Sequence, residues 1–95
     1  MPASWQQVAR LELVAVEDGF MVYDEDRDRV HYLNSTGALV LVLCNGANTL
    51  AEIAAALQAQ FALEQAPEQD VAGVLDRLVD EGLVLAPDEV AARGD

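Results

Sequence analysis

The stretch HYLNSTGALVLVLCNGANTLAEI, residues 31–53, decides the fold of this chain. It opens at the end of an alternating run over about 29–33 that is typical of a short β-strand. Asn34 or Ser35 can then accept a hydrogen bond from the free N–H groups that start a helix. The apolar residues that follow predict a buried helix over about 35–44, since every side of it is hydrophobic.

Two further helices follow. Asn45-Gly46 ends the first helix, because glycine adopts the left-handed backbone conformation found at helix ends. Thr49-x-x-Glu52 has the spacing of a capping box and predicts a second helix over about 49–61. A third amphipathic helix is predicted over about 67–82. Leu83-Val84-Leu85 either adds a short strand or packs back on the core.

Upstream, two more strands are predicted over about 10–16 and 20–24. Asp18-Gly19 between them is typical of a two-residue type I′ hairpin turn, which needs positive φ angles. Together these elements predict an α+β, winged helix-turn-helix-like fold: a three-stranded antiparallel sheet followed by three helices. We expect one domain over 8–86, with flexible ends at 1–7 and 87–95.

Composition excludes several classes of partner. The 95 residues carry 17 acidic groups against five arginines, a formal charge of −12, with no lysine. Such a charge disfavours nucleic acid and anionic membrane surfaces, because both are bound through basic residues. The single cysteine cannot form an internal disulfide, and the N-terminal residues lack the features of a signal peptide. We therefore expect a cytoplasmic protein without a membrane span.

The order and spacing of four motifs resemble the PqqD-like family, known as RiPP recognition elements, over roughly residues 10–86. These modules bind leader peptides of ribosomally synthesised, post-translationally modified peptides. Many family members have proline at the position of Ser35 and aspartate at that of Asn45, and both replacements here keep a residue suited to a helix end. The motifs are Tyr32-Leu33-Asn34-x-Thr36-Gly37-Ala38, Leu43-Cys44-Asn45-Gly46, Thr49-x-x-Glu52-Ile53 and Leu78-Val79-x-x-Gly82-Leu83-Val84.

The resemblance implies that a leader peptide adds as a further strand beside the third strand and lies in a groove against the third helix. An exposed strand edge offers the unpaired N–H and C=O groups that such an addition needs. No catalytic residue, metal ligand or cofactor is expected. The residues expected to contact the peptide are Arg27, Arg29, Val30, His31, Tyr32, Leu33, Asp70, Val74, Arg77 and Leu78.

The individual side chains leave alternatives open. The three arginines near the groove either anchor acidic residues of a leader or pair with neighbouring acids of this chain. Alternation places His31 on the groove-facing or solvated strand face, and puts Val30 and Tyr32 on the face expected to be core. Val74 and Leu78 belong to the core stripe of the third helix, whose edge must border the groove.

The leading hypothesis is a non-catalytic adaptor that presents a precursor peptide to a separate enzyme, such as a radical SAM protein, a cyclase or a leader peptidase. One alternative is a winged-helix DNA-binding regulator, although the second helix has no basic residue and the third has only Arg77. Another is an acyl or peptidyl carrier protein, although Ser35 lacks the usual flanking residues. The chain is expected to be a monomer or a dimer paired through strand edges.

Overall fold

The computed structural model describes residues 4–88, which form five strands and three helices. None of these helices combines the length and hydropathy needed to cross a bilayer. In chain order the elements are β1 (Gln6–Gln7), β2 (Leu11–Val16), β3 (Gly19–Asp24), β4 (Arg29–Leu33), α1 (Ser35–Leu43), α2 (Leu50–Phe61), α3 (Glu68–Asp80) and β5 (Val84–Leu85).

The three-stranded sheet has the order β2-β3-β4, and both of its strand pairs are antiparallel. This sheet and the three helices confirm the predicted α+β fold, with the main elements within two residues of their predicted bounds. A second, two-stranded sheet pairs β1 with β5, which resolves the open question over residues 83–85 in favour of a strand.

The β2–β3 hairpin was predicted correctly, but its turn was not. Val16 pairs with Gly19, so the two loop residues are Glu17 and Asp18 rather than Asp18 and Gly19. Neither Asp18 nor Gly19 has a positive φ, so the turn is not type I′. Gly19 is glycine for another reason: a Cβ there would lie 2.3 Å from the carbonyl oxygen of Leu33. Gly19 therefore stands where the backbones of β3 and β4 lie too close together for a side chain.

Local capping interactions fix the helix ends. The Asn34 side chain, not that of Ser35, caps α1 by accepting a hydrogen bond of 2.8 Å from the N–H of Gly37. The predicted capping box of α2 is present, with Thr49 and Glu52 each bonding the other's backbone N–H. Gly82 follows α3 with φ +78°, and the next N–H, of Leu83, donates to the carbonyl oxygen of Leu78.

The sheet packs one face on the helices and leaves the other open. The inner face carries Val22 and Leu33, both buried, and the core continues through α1, α2 and α3. Val30 and Tyr32 project from the opposite face, where they are 56% and 53% exposed. Their expected placement in the core is therefore wrong. Cross-strand pairing explains the result: His31 pairs with Val22 and Leu33 with Phe20, so the other strand face must point outward.

Part of the N-terminal segment lies against the domain. β1 pairs with β5, the N–H of Gln7 donates to the carbonyl oxygen of Cys44, and Trp5 packs on the core. The structure thus adds a strand within residues 1–7, where the sequence indicated none. Residues 1–3 and 89–95 lie outside the described part of the chain, so the flexibility expected there stays a prediction, as does the domain extent of 8–86.

Candidate functional site

β4 forms one edge of the three-stranded sheet. It pairs with β3 on one side, and no other strand among residues 4–88 pairs with its second side. The backbone groups on that side are available to a further strand, because successive N–H and C=O groups of a strand point to alternate sides. α3 lies near this edge, since Glu81 at its end lies 3.7 Å from His31 and three of its residues line one pocket with Leu33.

A groove of about 240 Å³ lies between β4, the start of α1 and α3; we call it the β4–α3 groove. Leu33 and Leu78 are almost fully buried and form its apolar floor. Tyr32 and Arg77 are exposed at its rim, so it combines a hydrophobic floor with a polar edge that carries an arginine. The residues that line the groove are Tyr32, Leu33, Asn34, Gly37, Val74, Arg77 and Leu78.

One end of the groove holds a charged cluster around Glu81. Its Oε1 lies 3.7 Å from Nδ1 of His31, and its Oε2 lies 3.6 Å from Nε of Arg77. The His31 side chain is only 14% exposed, and its Nε2 is buried without a hydrogen-bond partner among the described residues. Glu81 therefore connects the strand wall of the groove to the helix wall, and Arg77 remains 70% exposed despite this pairing.

The structure brings five of the predicted residues together around the groove: Tyr32, Leu33, Val74, Arg77 and Leu78. His31 lies next to this set, because its Nδ1 is 3.7 Å from the Glu81 carboxylate, which also pairs with Arg77. Tyr32 contributes to the groove although its side chain is on the outer sheet face, where its hydroxyl donates to the carbonyl oxygen of Asp18 at 2.9 Å.

The remaining predicted residues lie elsewhere. Arg27 is in the β3–β4 turn, where its Nη1 bonds Oδ2 of the buried Asp24 and the carbonyl oxygen of Gly82. Arg29 starts β4 and is exposed, and Val30 is on the outer face. Asp70 is in the first turn of α3, one helical turn before Val74 and outside the groove lining. Arg27 thus acts in the scaffold, which is the pairing alternative considered from the sequence.

Three residues of the site were not predicted for it: Asn34, Gly37 and Glu81. From the sequence, Asn34 is a candidate helix cap and Gly37 is part of a family motif, and the signal for their second role is that the cap directly follows the edge strand. The small Gly37 leaves the groove open near the start of α1. Glu81 stands four residues after Arg77, a spacing that predicts an ion pair on a helix, but its proximity to His31 depends on how α3 packs against β4.

Cys44 lies away from this groove and is fully buried at the end of α1. Burial raises the pKa of its thiol to about 12, so almost none of it is thiolate at neutral pH. The side chain therefore behaves as a small hydrophobic core residue, as its position in the sequence indicates.

Comparison with solved structures identifies a protein with a similar fold. A solved structure of a lasso peptide synthetase B1 complexed with the leader peptide is similar to this chain, with a TM-score of 0.69, 21% identity, and coverage of 87% of this chain and 99% of the other. At this identity the likeness shows a shared fold. A search of curated protein sequences gives no significant match.

The family model described as coenzyme PQQ synthesis protein D (PqqD) matches residues 19–84. The matched region runs from the start of β3 to the first residue of β5, so it contains β4, all three helices and every residue lining the groove. It covers well over half of the 95 residues. This chain belongs to the PqqD family.

Proposed function

We propose that this chain is a non-catalytic adaptor that binds the leader segment of a ribosomally synthesised precursor peptide and presents it to a separate modifying enzyme. The leader adds as a strand to the free edge of β4 and fills the β4–α3 groove. The observation that carries the proposal is this edge with a groove alongside it, inside the region that matches the PqqD family.

The free edge of β4 supplies affinity that does not depend on peptide sequence. A peptide strand that pairs with β4 satisfies the backbone N–H and C=O groups of both chains. β2 is the other edge of this sheet, but its Leu13 lines a pocket with residues of α1, and it lies before the region that matches the PqqD family. The groove lies beside β4, which favours β4 as the edge that receives a peptide.

The groove supplies the selectivity. Leu33, Val74 and Leu78 offer an apolar floor for one large hydrophobic side chain of the leader. Arg29 and Arg77 offer hydrogen-bond donors and positive charge to acidic leader residues, whereas the mostly buried His31 contributes to the strand wall beside Glu81. Val30 contributes through its backbone on the strand edge, and Asp70 extends the helix wall at the far end. We leave Arg27 out of the contact set, because its guanidinium already bonds Asp24 and Gly82.

Tethering explains how an adaptor without a catalytic group can raise the turnover of its partner enzyme. A peptide held beside an enzyme meets the active site at a high effective concentration, so the adaptor raises turnover without a catalytic group of its own. The chemistry belongs to the partner enzyme, of which a radical SAM protein, a cyclase and a leader peptidase are candidates. The structural neighbour, a lasso peptide synthetase B1 complexed with the leader peptide, supports the same assignment.

Isothermal titration calorimetry tests the proposal. The probe is the synthetic leader segment of the precursor peptide encoded beside this chain, and we expect a Kd tighter than about 100 µM. Arg77→Glu should weaken this binding at least about tenfold, because it reverses the charge at the groove rim. Arg10→Glu is the matched control, since Arg10 is similarly exposed but pairs with Glu25 and Asp26 away from the groove. Absence of heat at saturating leader concentration overturns the proposal.

Hydrogen exchange tests the strand addition itself. Adding the leader should slow hydrogen exchange at the β4 amides that point to the free edge of the sheet, because each new inter-strand hydrogen bond protects an N–H group. Amides on the free side of β2 should exchange at the same rate with and without leader. Protection confined to β2, or spread equally over both edges, contradicts the placement on β4.

A further inference from the structure

The outer face of the three-stranded sheet carries an exposed apolar surface that shares only Tyr32 with the lining of the β4–α3 groove. Strand register places its side chains in cross-strand rows: Val14 beside Met21 beside Tyr32, and Glu12 beside Tyr23 beside Val30. We define the outer face as Glu12, Val14, Val16, Met21, Tyr23, Val30 and Tyr32. The five large hydrophobic residues among them that are at least 37% exposed are Val14, Val16, Met21, Val30 and Tyr32.

A cluster of this kind is unusual for a surface that contacts only water. Single exposed hydrophobic residues are common, whereas contiguous apolar patches mark contact surfaces. Of the eight most exposed large hydrophobic residues among those described, these five share one face of one sheet. The tyrosine hydroxyls on this face are already engaged, by Asp28 and by the carbonyl oxygen of Asp18, so each ring is held in place.

The charges around the outer face are acidic. Glu12 lies on the face itself, Glu17 and Asp18 form the turn at one end, and Asp28 lies in the turn at the other. Arg10 at that end is paired with Glu25 and Asp26. A second copy of this chain would bring two such acidic rims together, each on a molecule of charge −12, so self-association through this face is disfavoured. A partner with an apolar patch rimmed by lysine and arginine is favoured.

The outer face is also continuous with the peptide site. A strand added to the free edge of β4 extends the sheet, so alternate side chains of that strand lie on the same face as Val30 and Tyr32. A protein seated on this face therefore contacts the adaptor and its bound peptide at once. The groove-facing side chains of the peptide are held by the adaptor, and the outward-facing ones are left for the partner.

We infer that the outer face is the docking surface for the modifying enzyme, through an apolar patch on that enzyme with a basic rim. The inference rests on the proposed adaptor function and adds the surface and its chemistry. Residues that bind the leader and residues that bind the enzyme then lie mainly on opposite faces of the same sheet, with the β4 edge shared between them.

The test separates the two binding events. The double variant Val14→Glu, Met21→Glu places two charges at the centre of the outer face, at positions that do not line the β4–α3 groove. We expect it to bind the leader with unchanged Kd by calorimetry. We also expect it to bind the purified enzyme encoded beside this chain at least tenfold more weakly. Binding of the wild-type chain to the enzyme should weaken as NaCl is raised from 50 to 500 mM, because the rim contacts are ionic.

Val42→Glu is the matched control, because Val42 is 51% exposed but lies on α1, on the helical side of the sheet. This variant should bind the enzyme like the wild type. If the glutamate pair fails to fold, as read from Trp5 fluorescence, Val14→Thr, Met21→Thr removes the apolar surface with a residue that strands tolerate.

Three outcomes overturn the inference. The first is that a folded double variant binds the enzyme as tightly as the wild type does. The second is that Val42→Glu, and not the double variant, loses enzyme binding. The third is that the wild-type chain is a dimer in sedimentation velocity and that the double variant at Val14 and Met21 is a monomer. The enzyme-binding assay is carried out without leader peptide. If the leader fails to bind the wild-type chain, that result therefore counts against the proposed function and not against the docking surface.

Discussion

The Arg27 side chain donates a hydrogen bond of 2.8 Å from Nη1 to the carbonyl oxygen of Gly82, which lies 55 positions later in the chain. The same nitrogen lies 3.2 Å from Oδ2 of Asp24, a carboxyl group that is 1% exposed. This arrangement ties the β3–β4 turn to the end of α3. Because β4 follows that turn and Gly82 lies two residues after the end of α3, the bond holds one end of β4 close to the C-terminal end of α3.

Replacing Arg27 with alanine should therefore destabilise the fold. The change leaves the buried Asp24 with only its bond from the Arg27 backbone, and we expect a loss of about 1–2 kcal/mol in the free energy of unfolding. Urea denaturation followed by Trp5 fluorescence measures it. Arg10→Ala is the control, since its ion pairs are exposed and worth less than about 1 kcal/mol. Equal losses in the two variants contradict the structural role of Arg27.

The cap of α1 can be assigned by substitution. Asn34→Ala should cost about 1 kcal/mol, because the N–H of Gly37 loses its side-chain acceptor. Ser35→Ala, one residue later and exposed, should change stability by less than about 0.5 kcal/mol. Thermal denaturation of both variants compares them, and a larger effect at Ser35 is incompatible with the observed cap.

Replacing Gly19 and Gly73 with alanine should change the free energy of unfolding in opposite directions. Gly19→Ala forces a Cβ to within 2.3 Å of the Leu33 carbonyl oxygen, so the strands must separate, at a cost of about 1–3 kcal/mol. Gly73 lies inside α3 with open space around its Cα, and Gly73→Ala should stabilise the chain by about 0.5–1 kcal/mol. Chemical denaturation gives both values, and a neutral Gly19→Ala variant disproves the close approach.

The Cys44 thiol should be unreactive in the folded chain. With its pKa raised to about 12, the thiolate fraction at pH 8 is on the order of 1000-fold lower than for an unfolded cysteine near pKa 8.5. Reaction with Ellman's reagent should be slow in buffer and fast in guanidinium chloride. Because the folded pKa is raised, this group stabilises the fold below about pH 8.5, and its contribution is lost as the pH rises towards 12. Rapid labelling under native conditions contradicts the burial.

Tyr23 should ionise at higher pH than a free tyrosine. Its hydroxyl donates a hydrogen bond of 2.8 Å to Asp28, and this bond and the negative charge of Asp28 raise its pKa above 10.0. Ultraviolet titration of Tyr32→Phe isolates Tyr23, the other of the two tyrosines. Adding Asp28→Asn should lower the midpoint, whereas Asp26→Asn should leave it almost unchanged. Equal midpoints in the two carboxamide variants rule out the Asp28 contact.

Several parts of the site could not be predicted, because their partners are distant in sequence. The sequence assigned Arg27 to peptide binding because it lies beside the edge strand. In the fold, its guanidinium donates a hydrogen bond to the carbonyl oxygen of Gly82, which the sequence does not show to be close. It identified Arg77 and Leu78 on α3 and Leu33 on the strand, and the structure joins them in one groove. The proximity of Glu81 to His31 depends on the separation and angle of two elements, which no short-range pattern encodes.

The sequence by itself determined the three helices, the three strands of the main sheet and their order. Asn34, Thr49-x-x-Glu52 and Gly82 act on backbone groups within a few residues, so local chemistry is enough to place helix ends. Only the tertiary structure decided which face of β4 is buried. Both faces of this strand carry apolar side chains, Leu33 on one and Val30 and Tyr32 on the other, so alternation alone cannot choose between them. The pairing of Leu33 with Phe20 and its packing among the buried core residues made that choice.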